Sequence, residues 1–150
     1  MPRPVCLSAF LLRQKIQPKF ARNYFTEIGL GIDFTARDVQ SKLKEKGLPW
    51  ELAKAFDGSA PIGNFMDVSQ MDLKNINFSL KKNGALVQQG STAQKIFPFE
   101  EIISFVSNYF TLKVGDLIYT GTPAGVGKVN IGDKLEGFIE NELMLTCEVK

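Results

Sequence analysis

The sequence predicts one α+β domain rich in β-strand, and three observations carry that prediction. Two stretches repeat apolar residues at helical spacing. The C-terminal half alternates apolar and polar residues in short runs broken by turn residues. No repeat, low-complexity tract or long linker divides the chain. With 150 residues, 44% of them hydrophobic and 23% charged, the chain has the size and composition of a single globular domain.

Taken in order, the chain opens on a short irregular start. Residues 5–12 are apolar but for Ser8, yet only Arg3 precedes them and no small-x-small site follows. The run is too short to cross a bilayer, so neither a signal peptide nor a membrane partner is expected and the protein reads as cytoplasmic. Residues 29–34, Gly-Leu-Gly-Ile-Asp-Phe, read as a strand that delivers Asp33 to a strand-to-helix junction. Thr35-Ala-Arg-Asp38 has the form of a capping box, so a helix is expected to begin after Thr35 and to run to Glu45 or Lys46, where Gly47 and Pro49 stop it. A long loop follows. Residues 77–82 and 85–89 flank Asn83-Gly84, which suits a two-residue hairpin turn. Phe99, Ile102, Ile103, Val106 and Phe110 follow Pro98 at i, i+3, i+4 spacing and place a core-facing helix near 99–109. Residues 116–120 read as a strand, then comes a Gly/Pro-rich loop to Gly127, and two final strands meet near Asn141-Glu142.

The most restrictive count is histidine, which is zero. No Ser-His-Asp triad, Cys-His pair or histidine-based zinc site can be built from this chain, and any general acid or base must be a carboxylate, lysine, tyrosine, cysteine or water. Net charge is +2, and the 18 basic residues are scattered rather than gathered into a stripe, so no nucleic-acid partner is implied. Lys42, Lys44 and Lys46 read as a solvated helix face. Cys6 and Cys147 fit neither a disulfide framework nor a metal-ligand spacing and read as free thiols.

Three stretches carry more polar detail than a core requires. In the first, Asp33 precedes a helix on which Arg37 and Gln40 share a face. Such an arrangement can offer a carboxylate to a divalent cation and a guanidinium to a carboxylate substrate, or can be an ordinary cap with a surface ion pair. In the second, residues 47–57, Lys54 stands among apolar residues beside the only Trp. It reads as an exposed lysine or as a desolvated one fit for acid–base or electrophilic work. The third, Thr120-Gly-Thr-Pro-Ala-Gly-Val-Gly-Lys128, fails the phosphate-loop pattern, because Thr122 stands where the first Gly belongs and Val129 where Ser/Thr belongs. What remains is a loop whose amides and Thr122 hydroxyl can hold a carboxylate.

Together and in this order the stretches are specific. Gly31-Ile-Asp-Phe-Thr-Ala-Arg-Asp-Val-Gln40, Lys46-Gly-Leu-Pro-Trp50, Ala53-Lys-Ala-Phe-Asp57, Ala60-Pro61, Asn83-Gly84, Ile102-Ile-Ser104, Leu112-x-x-Gly-Asp116 and Thr120-Gly-Thr-Pro-Ala-Gly-Val-Gly127 resemble the fumarylacetoacetate hydrolase family. The likeness is to its small branch of acylpyruvate hydrolases, oxaloacetate decarboxylases and related isomerases. It begins near Phe20 and leaves residues 1–18 of a single 1–150 domain unmatched. The resemblance implies a mixed β-roll with two or three short helices, usually a homodimer, that binds Mg²⁺ or Mn²⁺ and acts on 2-oxo or 1,3-dicarbonyl acids. By that resemblance Asp33 is a metal ligand and Arg37, Gln40, Lys54 and Thr122 bind substrate, with Lys54 and Gln40 in the catalytic set. The implied activity is metal-dependent hydrolysis of a carbon–carbon bond in an acylpyruvate. The alternatives are decarboxylation or isomerisation of a 2-oxo acid, or a non-catalytic carboxylate-binding or dimerisation module.

The chain departs from the family pattern in two places. A Glu-x-Glu metal-binding pair and a lid segment precede the matched region in the family, whereas the first carboxylate here is Glu27, so a shortened form with an incomplete metal site is expected. Lys95-Ile-Phe97 stands where the family more often has Met-Ile-Phe, a change expected on the surface.

Overall fold

The structure, a computed structural model, describes residues 6–9 and 15–150. In chain order its elements are β1 (Cys6–Ala9), α1 (Pro18–Ala21), β2 (Glu27–Gly31), α2 (Arg37–Glu45), α3 (Glu51–Lys54), β3 (Ile62–Asp67), β4 (Asn77–Lys82), β5 (Ala85–Ser91), α4 (Phe99–Ser107), β6 (Asp116–Tyr119), β7 (Lys134–Ile139) and β8 (Glu142–Glu148). The strands form two four-stranded sheets, ordered β3-β2-β1-β6 and β5-β4-β7-β8, and the described pairings are antiparallel.

One buried cluster joins the two sheets and the long helix. Ile28, Leu30 and Ile32 enter it from the β2 segment, Leu80, Leu135, Ile139 and Leu145 from the second sheet, and Phe99 and Ile103 from α4. Each large side chain taken fully out of water contributes about 1.5–3 kcal/mol to folding. The alternation along β7, with Leu135, Gly137 and Ile139 buried, fixes which face of the second sheet is inward. Where β3 passes β8 the backbones nearly touch, for a Cβ on Gly63 would stand 2.1 Å from the Met144 carbonyl oxygen. In the β4–β5 hairpin Asn83 and Gly84 take positive φ of 51° and 82°, as the two-residue turn requires. Asn83 is held there by its side-chain hydrogen bond to Asp133, at 2.8 Å.

The α+β class, the hairpin, α2, α4 and the last strands stand where the sequence places them. Four differences are informative. The irregular start contains β1, a central strand of the first sheet, and the expected long loop contains both α3 and β3. The two periodic helices are joined by two four-residue turns, α1 and α3, which takes the count beyond two or three. β2 ends at Gly31, although Ile32 and Phe34 still donate backbone hydrogen bonds to Pro61 and Ser59 at 2.9 and 2.7 Å. Finally, the N-cap of α2 is Ala36, and no side chain caps it. Thr35 is otherwise engaged. No described helix is long and apolar enough to cross a membrane.

Candidate functional site

The end of β2 and the start of α2 build the first part of the site. Residues 32–34 run against 59–61 through the two backbone hydrogen bonds above, and Ala36 N–H donates to the Ala53 carbonyl at 3.1 Å, tying the entry of α2 to α3. Ala53 is completely buried, so α3 is anchored on that side and its last residue, Lys54, turns back toward the β2 segment. The Lys54 ammonium donates to Asp33 Oδ1 and, at 2.8 Å, to Thr35 Oγ1. The Lys54 and Asp33 side chains are 29% and 17% exposed, which leaves the pair reachable but partly desolvated.

One turn along, Arg37 donates to the Gln40 Oε1 at 2.9 Å, as three-residue spacing on one helix face allows. Arg37 and Thr35 open onto a cleft of about 940 Å³ whose other walls include Asp57, Lys128 and Cys147. Burial pushes the Cys147 thiol above its ordinary pKa, which disfavours the reactive thiolate.

The 120–127 loop lies against β5. Gln88 donates to the Pro123 carbonyl at 3.3 Å, and only glycine fits at 125, where a Cβ would stand 2.4 Å from the Val87 carbonyl oxygen. This places Thr122 in the wall of a second cavity, of about 280 Å³, lined also by Phe78, Lys95, Ile96, Phe97 and Ile102. The Thr122 hydroxyl is buried without a hydrogen-bond partner among the described residues.

Residues 12–149 match the fumarylacetoacetate (FAA) hydrolase C-terminal family. The chain belongs to the fumarylacetoacetate hydrolase family. It is 44% identical over 126 residues to the oxaloacetate tautomerase of Escherichia coli strain K12, covering 83% of this chain and 57% of that protein. To the bovine mitochondrial oxaloacetate tautomerase it is 44% identical over 131 residues, covering 87% and 59%. The crystal structure of fumarylpyruvate hydrolase from Pseudomonas aeruginosa, in complex with Mn²⁺ and pyruvate, superimposes with a TM-score of 0.90 at 34% identity, covering 99% of this chain and 64% of that one. The chain thus spans 57 to 59% of the length of these curated relatives.

For a fumarylacetoacetate hydrolase family domain the expected cation is Mg²⁺ or Mn²⁺, and the residues present do not by themselves fit one. Asp33 offers a carboxylate, but one of its oxygens is taken by Lys54, and no three His, Cys, Asp or Glu residues gather to hold a metal among the described residues. Residues 1–5 and 10–14 contain no Asp, Glu or His that could add to the set. A hard divalent cation wants about six oxygen ligands.

Of the five residues singled out from sequence, then, the fold brings Asp33 to Lys54 and Arg37 to Gln40, and sets Thr122 in a different cavity. Thr35, read as a cap, is instead a partner of Lys54. Lys95 corrects the expectation of a surface change: its Nζ is buried and has no hydrogen-bond partner among the described residues. It sits 3.2 Å from the centroid of the Phe99 ring, and burial lowers its pKa from 10.5 to about 8, with Glu100 opposing the shift. The available signal was a cation immediately before the apolar run Ile96-Phe97-Pro98-Phe99.

Proposed function

We propose that this domain serves an enzyme acting on short 2-oxo acids, and that the reaction is keto–enol tautomerisation of an oxaloacetate-type dicarboxylic acid. The observation that carries the reading is the Lys54 ammonium held by Asp33 and Thr35 beside the cleft into which Arg37 opens. An ammonium fixed by two partners is a preorganised positive charge and proton donor for an oxygen that becomes an enolate. Arg37 supplies the fork that pairs with a substrate carboxylate, and Gln40, bonded to it, holds that fork in place. Tautomerisation needs one proton to leave carbon and one to reach oxygen. In a chain with no histidine the acceptor of the carbon-bound proton is a carboxylate or a water, and the Lys54 ammonium returns a proton to oxygen, so that no net proton is gained or lost. The 44% identity to two oxaloacetate tautomerases supports the same choice.

Hydrolysis of an acylpyruvate is the second reading, supported by the likeness to fumarylpyruvate hydrolase over 99% of this chain. The test is to follow loss of the enol absorbance of oxaloacetate, and release of pyruvate from an acylpyruvate, with the wild-type protein and with Lys54→Met. Enol loss that Lys54→Met slows about a hundredfold or more supports tautomerisation. Pyruvate release without enol loss supports the second reading, and neither activity overturns both. A homodimer belongs to the same proposal: Phe105, Tyr109 and Phe110, 65%, 71% and 68% exposed, give a second copy an apolar surface to cover, and sedimentation checks it.

A further inference from the structure

The backbone that presents Asp33 is held by a neighbouring segment, and one side chain on β6 touches both. Past the end of β2, Ile32 N–H donates to the Pro61 carbonyl at 2.9 Å and Phe34 N–H to the Ser59 carbonyl at 2.7 Å. Asp33 stands between these two hydrogen bonds, so its carboxylate is placed only as firmly as residues 59–61 are. That segment belongs to no helix or strand. It is braced by Tyr119, the last residue of β6, whose hydroxyl donates to the Ala60 carbonyl at 3.0 Å with a longer contact to the Pro61 carbonyl at 3.5 Å. In the sheet order β3-β2-β1-β6, β6 is not a neighbour of β2, and the Tyr119 side chain has to reach across to it. Gly31 gives it the room. A Cβ at 31 would stand 2.5 Å from Tyr119 Cε1 and 2.7 Å from the hydroxyl oxygen, well inside the roughly 3.5–4.0 Å at which carbon atoms pack, and would push the hydroxyl off the Ala60 carbonyl.

We propose that Tyr119 is a positioning residue for the Asp33–Lys54 pair, its hydroxyl fixing the 59–61 segment while its ring lies over Gly31. Tyr119 does not line the cleft into which Arg37 opens, so it acts through Asp33 rather than on a substrate. The Lys54 ammonium donates to Asp33 Oδ1, and a shift of that carboxylate carries the ammonium with it. Misplacing a reacting group by about 1 Å can cost about a hundredfold in rate, so a fraction of that displacement is a measurable loss. The effect on turnover rests on the tautomerase reading. The placing of Asp33 does not.

The first variant is Tyr119→Phe, which keeps the ring on Gly31 and removes only the hydroxyl. In enol loss from oxaloacetate its kcat should fall about tenfold while KM stays within about twofold, because the Arg37–Gln40 pair that grips the substrate lies on α2, outside the contacts of Tyr119. A merely structural role would lower the melting temperature and leave the kcat of the folded protein alone. The second readout needs no activity. The ¹³C shift of the Asp33 carboxylate, assigned by its loss in Asp33→Asn, should move in Tyr119→Phe away from its wild-type value and toward that in Lys54→Met, where the pair is gone. Gly31→Ala, which displaces the hydroxyl without removing it, should reproduce both effects, and the double variant with Tyr119→Phe should be no worse than the worse single one. An Asp33 shift that Tyr119→Phe leaves unmoved overturns the proposal, as do fully additive losses in the double variant. A moved shift with unchanged kcat keeps Tyr119 as the residue that places Asp33 and sinks the tautomerase reading alone.

Discussion

Lys54 and Lys95 are both drawn part-way into the protein, and their surroundings differ in one respect. Lys54 meets a carboxylate and a hydroxyl, whereas Lys95 meets an aromatic face and a cavity. The desolvation is of the same kind in both places, so the partner decides what the charge is free to do. Around Lys54 the charges neutralise one another, which fixes geometry for chemistry at the edge of a cleft. Around Lys95 no hydrogen-bond acceptor meets the ammonium among the described residues, only the Phe99 ring and the field of Glu100, and the Thr122 hydroxyl is likewise without a partner. Polar groups that satisfy each other fix geometry; those that do not are a standing cost to the fold.

The largest expected effect comes from breaking the satisfied side. Asp33→Asn keeps the shape of the side chain but leaves the Lys54 ammonium without its counter-charge. Turnover of the oxaloacetate enol should fall about 10²- to 10⁴-fold, the range typical of lost acid–base groups. Melting should move little by comparison, because the pair is 29% and 17% exposed and water partly replaces the lost partner. If Asp33→Asn and Lys54→Met act as one unit, the double variant is no slower than the worse single one. Steady-state rates of the three variants decide it.

The two lysines also mark how far the sequence could be read. The order of motifs placed Arg37 and Gln40 on α2 and Asp33 just before it, because the helix and the glycine-punctuated strand ahead of it are local signals, whereas Lys54, expected in a loop, stands at the end of α3. β1 and β3 were not legible: each is short and mixes apolar with polar residues, and its strand state is decided by pairing with β2 between segments far apart in sequence. Thr35 had the right residue type for a cap, yet Lys54, distant in sequence and near in space, claimed its hydroxyl. Lys95 was misplaced for a like reason. Charge in a sequence reads as exposure, and only the fold, which lays the Lys95 ammonium on the buried Phe99 ring, turns that side chain inward.

The next effect, on stability, sharpens the unsatisfied side. The Lys95 pKa is lowered from 10.5 to about 8, so between those values the unfolded chain binds more protons than the folded one and stability rises with pH. Below pH 8 the full penalty is present, and above 10.5 it is gone. Lys95→Met should therefore be more stable than wild type at neutral pH, by about 1 kcal/mol once the partial exposure of the side chain is allowed for. The advantage should close between pH 8 and 10.5. Urea unfolding at several pH values measures it, and a gap that does not depend on pH would mean that Lys95 is solvated.

A smaller effect distinguishes the two acceptors of Lys54. Thr35→Val removes one hydrogen bond and leaves the carboxylate, so turnover should fall only several-fold and stability by about 1 kcal/mol. A loss as large as that of Asp33→Asn would show that the hydroxyl, rather than the charge, orients the ammonium.

The smallest expected effect is that of added metal. Asp33 supplies a carboxylate already engaged by Lys54, and no further cluster of ligands surrounds it among the described residues. For a cation that wants about six oxygens, Mn²⁺ should bind this 150-residue chain only in the millimolar range or weaker. Melting then shifts little in millimolar Mn²⁺, since stabilisation grows only as the logarithm of concentration over Kd. Asp33→Ala should leave that small shift unchanged, which the paramagnetic resonance of free Mn²⁺ and a melting curve measure together. Micromolar affinity abolished by Asp33→Ala would instead mean that carboxylates such as Glu27 or Asp57, or those of a second copy, converge on Asp33. Lys54 would then give up its hold on that carboxylate when the metal binds, and the contrast between a satisfied and an unsatisfied lysine would hold only for the metal-free protein.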